Sequence, residues 1–350
     1  MNKKILIVGS GITGATLAFL HKQKGDNVIV YEKRSHIGGN IYTERENCID
    51  IHKYGAHIFH TNHSDVWTFI NQFAKFNNYV HIGKTKLDNK LYSLPINMNT
   101  INEVFNIYNP NEVTDKHISK LRDLFFKGYT AKQWGVNYED VPKEVINRLP
   151  IRYTFDNRYF DDHFQGIPIN GYTSIIYQML CNIPVILDYN FTKEDISNKY
   201  DIIYHTGMID EFMEYELGAL EYRSLKFETT KLNINNYQGA AVINEASINV
   251  PYTRTIEHKH FNKSNSDVTY ITKEYPIKWN PGKEAYYTVN NKVNNDLYKK
   301  YTELVNKKYN NIIFCGRLGS YRYLNMDEAI KECFTLTKNM FVCKQFFKHY

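Results

Sequence analysis

Ile5-Leu6-Ile7-Val8-Gly9-Ser10-Gly11-Ile12-Thr13-Gly14 is the stretch on which the fold turns. Ile5 to Val8 is a short apolar, β-branched run, the pattern of a strand covered on both faces in a parallel sheet. Gly9 to Gly14 follows without a break and has the form G-x-G-x-x-G. The chain from Ala15 to Lys24 then reads as a helix, with Ala15, Leu17, Ala18, Phe19 and Leu20 at apolar positions. Val28 to Tyr31 reads as a second strand ending at Glu32. Each part has a physical task in holding a dinucleotide. Gly9 permits the tight turn, Gly11 lets the backbone approach a pyrophosphate, and Gly14 lets helix and strand pack closely. The helix start offers unpaired N–H groups and positive dipole to phosphate. Glu32 stands where a carboxylate accepts from ribose hydroxyls and repels a 2′-phosphate, which disfavours NADP. The bland alternative is a glycine-rich structural turn, but strand, motif, helix and acid are all present in order.

Composition narrows the class. The chain has 350 residues, room for two or three domains, and 43% hydrophobic residues, enough for a substantial core. The net charge of +6 is spread along the chain and not gathered into an arm. That argues against a nucleic-acid binder and fits a small phosphorylated ligand better. The cysteines Cys48, Cys181, Cys315, Cys333 and Cys343 are odd in number, scattered and form no CxxC pair. A disulfide framework and a zinc site are therefore disfavoured, and a reducing cytoplasmic location is expected. The opening residues read as a strand and not a signal peptide, and no run approaches a membrane span. His52, His57, His60 and His63 lie close together but match no standard metal spacing, so no metal is expected.

Beyond Glu32 the chain continues Lys33-Arg34-Ser35-His36-Ile37-Gly38-Gly39-Asn40. An acid followed six residues later by Gly-Gly resembles the flavoprotein superfamily of amine oxidases and related enzymes. That resemblance, and not the spacing alone, selects FAD over NAD. Several later blocks are not those of general flavin oxidases: Ile51 to Thr61 (IHKYGAHIFHT), Leu94 to Thr100 (LPINMNT), Lys127 to Gly135 (KGYTAKQWG), Arg152 to Phe160 (RYTFDNRYF), Val250 to Arg254 (VPYTR), Glu257 to Phe261 (EHKHF) and Gly316-Arg317-Leu318. Taken in order along nearly the whole chain, they resemble the bacterial UDP-galactopyranose mutase family.

The resemblance implies an α/β fold: a Rossmann-like FAD-binding domain with an inserted small helical domain and an antiparallel β-sheet domain. The expected division is 1–80, 170–215 and 305–350 for the FAD domain, 98–160 for the helical domain, and 81–97 with 216–304 for the antiparallel sheet. Helical spacing at Ile118, Leu121, Leu124 and Phe125, alternation around Asp267 to Ile271, and a late strand at Ile312 to Cys315 agree coarsely. A helix from about Asn325 to Thr337 is expected to aim its N-terminus at the flavin.

The same resemblance implies an isomerase that interconverts UDP-galactose and UDP-galactofuranose by ring contraction, with no net redox change and with N5 of reduced FAD as nucleophile at the anomeric carbon. Expulsion of UDP demands fixed cations, and the planar fork of arginine suits phosphate. Arg148 and Arg254 are the implied cations, and His57 supports the reduced flavin. The implied cofactor contacts are Gly9, Gly11, Thr13, Gly14, Glu32, Gly39, Asn40, His57, Ile58, Thr206, Gly207, Arg317, Leu324, Asn325 and Met326. The implied substrate contacts are His81, Phe125, Phe126, Tyr129, Thr130, Trp134, Arg148, Tyr159, Arg223, Asn244, Arg254, Tyr287 and Tyr323. Phe125, Phe126 and Tyr129 are the implied wall for uracil, although their spacing is also that of a plain core helix. NAD(P)H or another reductant and a homodimeric assembly follow from the family as well. Asn325 stands where the family pattern has Asp, His81 where Asn is common, and Thr13 where an aromatic is common. A redox amine-oxidase-like enzyme explains the glycine motifs but not the later blocks. A non-catalytic nucleotide-sugar binder has only Asn325 in its favour.

Overall fold

The computed structural model describes residues 2–135, 137–141, 146, 151–196 and 199–337. Its centre is a five-stranded sheet built from β1 (Lys4–Val8), β2 (Asn27–Tyr31), β9 (Val185–Ile186), β10 (Ile202–His205) and β16 (Ile312–Phe314). The spatial order is β16-β10-β1-β2-β9, and every neighbouring pair is parallel. Ile5, Leu6 and Ile7 of β1 are fully buried, as a central strand with both faces covered requires. Ile5 and Ile7 pack towards helix α1 (Ile12–Gln23), whereas Leu6 joins Ile203 in a second core on the opposite face. Alternation along one strand thus feeds two separate cores.

α1 begins at Ile12, inside the glycine motif, three residues earlier than the apolar pattern indicates. Gly11 is extended and serves as the N-cap, with its carbonyl accepting from Ala15 N at 2.9 Å. The helix therefore opens inside the glycine motif, and its first residue, Ile12, already packs on the core.

Between β2 and β9 the chain makes two small antiparallel pairs, β3 (Thr43–Glu46) with β4 (Ile49–His52) and β5 (Phe59–Thr61) with β8 (Phe164–Gly166). Helices α2 (Ser64–Ile70), α3 (Met98–Phe105), α4 (Asp115–Leu121) and α5 (Gly128–Trp134) also lie there. α4 and α5 are joined by a π-helical stretch over Arg122–Lys127 where the periodicity indicates ordinary helix. π-turns of this kind are frequent beside functional sites.

The second large sheet has seven strands in the order β15-β11-β14-β13-β12-β6-β7. They are β6 (Gly83–Leu87), β7 (Lys90–Leu94), β11 (Tyr222–Leu232), β12 (Val242–Glu245), β13 (Arg254–Glu257), β14 (Thr269–Lys278) and β15 (Tyr287–Thr288). All pairs are antiparallel except β12 with β6. The long β11–β14 ladder runs in register from Arg223 opposite Lys278 to Leu232 opposite Thr269. Register sets which side chains share a face, and here Arg254 lies opposite Glu274 on one side and Asn244 on the other. Helix α6 (Gly171–Met179) covers the parallel sheet beside α1, α7 (Lys292–Lys308) leads back into β16, and α8 (Met326–Leu336) closes the described chain against α1.

Candidate functional site

The C-terminal ends of β1, β2, β10 and β16 open on one cavity, the usual position of a ligand in an open parallel sheet. Gly9, Gly11, Thr13, Gly14, Glu32, Gly39, Asn40, His57, Thr206, Gly207, Arg317, Leu324, Asn325 and Met326 all line it. The cradle depends on missing side chains. Gly9 has φ +100°, and a Cβ there would meet Thr206 Oγ1 at 2.1 Å. A Cβ on Gly14 would lie 1.9 Å from Gly9 O, so α1 and its strand approach as closely as backbone allows. The loops at Gly11 and Gly39 cross: a Cβ on Gly39, at φ +53°, would come 2.9 Å from Gly11 Cα. A bare main-chain floor, a helix N-terminus and an acid at the end of β2 together suit a dinucleotide.

Glu32 is more occupied than its motif suggests. One of its carboxylate oxygens accepts from Ser10 N and Ser10 Oγ, both at 2.7 Å, and the other from Arg34 N at 2.9 Å. It holds the glycine loop in place as well as facing the cavity. Arg34 and Glu284, which the motif reading did not single out, also line the cavity. The Arg34 Nη2 group donates to Glu284 at 2.9 Å and to Asn40 Oδ1 at 3.0 Å, with its guanidinium 4.3 Å from the Tyr54 ring centre. A second basic residue two positions after the strand-end acid was the available signal.

At the far end, Arg317 donates to Leu324 O through Nε and Nη2. Its guanidinium lies 4.9 Å from the Tyr323 ring centre and 5.6 Å from that of Tyr287. Asn325 caps α8: its side chain takes the N3 backbone N–H, while its own N–H donates to Glu328 at 2.7 Å. Asn and Asp serve equally well as N-caps, so the departure at this position keeps the helix start intact.

Next to Arg317 lies a polar cluster of side chains from the antiparallel sheet and α5. Arg254 Nη2 donates to the Tyr129 hydroxyl at 2.6 Å, and its Nε lies 3.5 Å from Glu274 Oε1. Glu274 is 2% exposed. Neither Arg254 Nε nor Glu274 Oε1 has a hydrogen-bond partner among the described residues. Burial works against the Arg254 charge, but Glu274 and the tyrosines around it hold the guanidinium protonated. Burial raises the phenols of Tyr129, Tyr159 and Tyr287 above the usual range, with Tyr159 pushed up to about 12, so all three remain proton donors at neutral pH. Tyr287 stacks on Tyr323 with centroids 6.0 Å apart. Glu274 escaped the sequence reading because Lys273-Glu274 looks like a solvated ion pair on an alternating strand.

His57 lines the dinucleotide cavity and lies within reach of the charges of both Arg317 and Arg254. Its Nδ1 lies 2.8 Å from Gly55 O, and a carbonyl only accepts, so Nδ1 carries the proton. Burial, then the nearby Arg317, pushes its pKa down to about 4, with Arg254 contributing in the same direction. The ring is therefore neutral at physiological pH. Its backbone N–H donates to the buried His52 Nδ1 at 3.1 Å. His81 is likewise held neutral, at about 4, by burial first and then by Arg254. Its carbonyl accepts from Tyr159 N at 2.7 Å, and its ring packs 5.1 Å from the Tyr159 ring.

The remaining residues implied by the family resemblance divide. Asn244 is next to Arg254 on β12, and Arg223 Nε donates to Gln133 O at 3.1 Å, one residue before the half-buried Trp134. Phe125 and Phe126 are each 3% exposed inside a core with Leu94, Ile96 and Met98, where Phe125 meets Tyr92 edge to face. As they stand, these two rings serve the core and not an open wall. Thr130 is buried, and Ile58 packs against Ile167, Ile256 and Phe261. Arg148 lies outside the described residues. No cluster of metal-ligating side chains occurs among the described residues, nor is any of their helices long and apolar enough to cross a membrane.

Comparison with known proteins finds family matches over both regions of the chain. Residues 7–73 match the family model for an NAD(P)-binding Rossmann-like domain, and residues 124–323 match that for UDP-galactopyranose mutase. A probable UDP-galactopyranose mutase from Klebsiella pneumoniae is 37% identical over 95% of this chain and 93% of its own length. A dTDP-fucopyranose mutase from Escherichia coli is also 37% identical, over 94% of this chain and 96% of its own. The solved structure of a reduced UDP-galactopyranose mutase shares the fold with a TM-score of 0.71, covering 96% of this chain and 95% of that one at 14% identity. The glycine cradle, the arginine–tyrosine cluster and the match along nearly the whole chain have one explanation: the protein is an isomerase of the UDP-galactopyranose mutase family.

Proposed function

We propose that this enzyme interconverts UDP-galactopyranose and UDP-galactofuranose, with reduced FAD in the glycine-floored cavity. The chemistry that FAD supplies when bound is an electron-rich nitrogen, N5, that reacts reversibly at the anomeric carbon. The observation that carries the reading is the Arg254–Tyr129 pair, which lies close enough to the cavity-lining His57 for Arg254 and Arg317 both to act on its ring. Arg254 binds the diphosphate and holds it as charge builds on the departing oxygen. The phenols of Tyr129, Tyr159, Tyr287 and Tyr323 donate to the same oxygens without adding net charge. Glu274 orients the Arg254 fork and offsets part of its charge, so that UDP is held and not trapped. His57, neutral and with its proton fixed on Nδ1, presents Nε2 without adding a second positive charge beside Arg317. Arg148 as a second cation, the three-domain division, a nicotinamide reductant, a homodimer and a cytoplasmic location rest on the family resemblance.

The equal likeness to a dTDP-fucopyranose mutase favours a second reading of the same chemistry, in which the substrate is a dTDP-linked 6-deoxyhexose. The test is to incubate reduced holoprotein separately with UDP-galactofuranose and dTDP-fucofuranose and to separate the products by chromatography. Conversion of the UDP sugar to its pyranose at the greater kcat/KM is expected. Greater kcat/KM on the dTDP sugar supports the second reading, and conversion of neither contradicts both.

A further inference from the structure

Helix α5 is fastened to the seven-stranded sheet at three places. Lys132 Nζ donates to Glu245 O at 2.9 Å and to Val250 O and Tyr252 O, both at 3.0 Å. An ammonium has three N–H donors, and all three are committed to main-chain carbonyls at the end of β12 and in the loop that follows it. One turn earlier, Gly128 touches the same loop, and a Cβ there would lie 2.5 Å from Ala246 O and 3.0 Å from Ile248 N. One residue later, Gln133 O accepts from Arg223 Nε. The loop held by Lys132 leads directly into β13, whose first residue is Arg254. α5 itself carries Tyr129, the hydrogen-bond partner of Arg254. The contacts therefore form a closed circuit: α5, Lys132, the 245–252 loop, Arg254, Tyr129 and α5 again.

We propose that Lys132 is a positioning residue for diphosphate binding, and that its ammonium, by gathering three carbonyls, sets the loop that places Arg254 against Tyr129. The inference rests on the nucleotide-sugar reading above and adds to it a residue that touches no reacting atom. Only the protonated amine satisfies all three carbonyls, because a neutral amine has two N–H groups and leaves one acceptor without a donor. The charged neighbours are few. Glu245 carries a carboxyl raised by burial and 3.9 Å from Lys86 Nζ, and Lys273 lies over the Tyr252 ring at 4.9 Å. Burial brings Lys132 itself down to about 8, with Glu245 opposing. The cage therefore opens as pH rises through that value, and affinity for a diphosphate falls with it.

Two measurements on oxidised, flavin-loaded protein test this. The first is the Kd for UDP between pH 7 and 9.5. Wild type is expected to weaken about fivefold as pH rises, and Lys132→Met to bind about tenfold more weakly at pH 7 with no such slope. The second needs no nucleotide: amide hydrogen exchange of residues 246–252, corrected for its intrinsic pH dependence, is expected to rise in wild type at high pH. In Lys132→Met it is expected to be raised at pH 7 already. Wild-type affinity and slope in Lys132→Met, or exchange in this loop unchanged by both pH and substitution, overturns the proposal. If UDP binds neither protein, the nucleotide-sugar reading fails, and the exchange result still decides the role of Lys132. If Lys132→Met does not fold, the wild-type pH series decides both measurements.

Discussion

The glycine floor of the dinucleotide cavity and the arginine–tyrosine cluster beside His57 and Arg317 are built from different materials. The floor of the dinucleotide cavity is main chain, supplied by the glycines between Gly9 and Gly14 and by a second loop at Gly39. The arginine–tyrosine cluster is made of side chains. Tyr129, Tyr159, Arg254, Glu274 and Tyr287 come from five separate segments; sheet register sets Arg254 opposite Glu274, and α5 brings Tyr129 to Arg254. A main-chain site fails when an atom is added, because backbone cannot move aside. A side-chain site fails when an atom is removed, and the fold survives the loss.

The sharpest way to break that contrast is to add one carbon to the floor. Gly14→Ala places a Cβ 1.9 Å from Gly9 O, which only a shift of α1 against its strand relieves. The expected cost exceeds about 3 kcal/mol, and the purified protein is expected to lack flavin absorbance. Retention of flavin with wild-type Tm would show that the floor is soft. Next in size, Arg254→Ala is expected to keep its flavin and lose about 10³-fold in kcat. Tyr129→Phe sharpens the comparison, with a loss of about tenfold in kcat/KM. Because the two groups share a 2.6 Å bond, the double variant should lose less than the sum of the two singles. Strict additivity would mean that the bond has no part in binding.

The same contrast explains what could be read before folding. The β1–glycine–α1–β2 unit was legible because its parts are neighbours in sequence and each local preference agrees with the others. The largest displacement was the start of α1, since Gly11 caps the helix and Ile12 inside the glycine motif already packs on the core. The π-helical turn at Arg122–Lys127 was illegible, because one extra residue in a helix leaves the apolar spacing almost unchanged. Tyr129, Arg254 and Tyr287 were named through family resemblance, and nothing in their local spacing marks them. Glu274 was invisible for a related reason. Its burial is a property of the pairing of β14 with β11 and β13, whereas its sequence neighbours are a lysine and a tyrosine. Phe125 and Phe126 show the reverse. Their spacing fits a core helix, and in the fold they are core.

The central claim is that a reduced flavin and a diphosphate-binding arginine act on one sugar from opposite sides of His57 and Arg317 without net oxidation. The most direct measurement is the rate of pyranose formation from UDP-galactofuranose by the same protein sample, first oxidised and then reduced with dithionite under argon. Turnover in the reduced state, near inactivity in the oxidised state and no consumption of reductant per product are expected. Equal rates in both states, or one equivalent of reductant used for each product, would contradict the account.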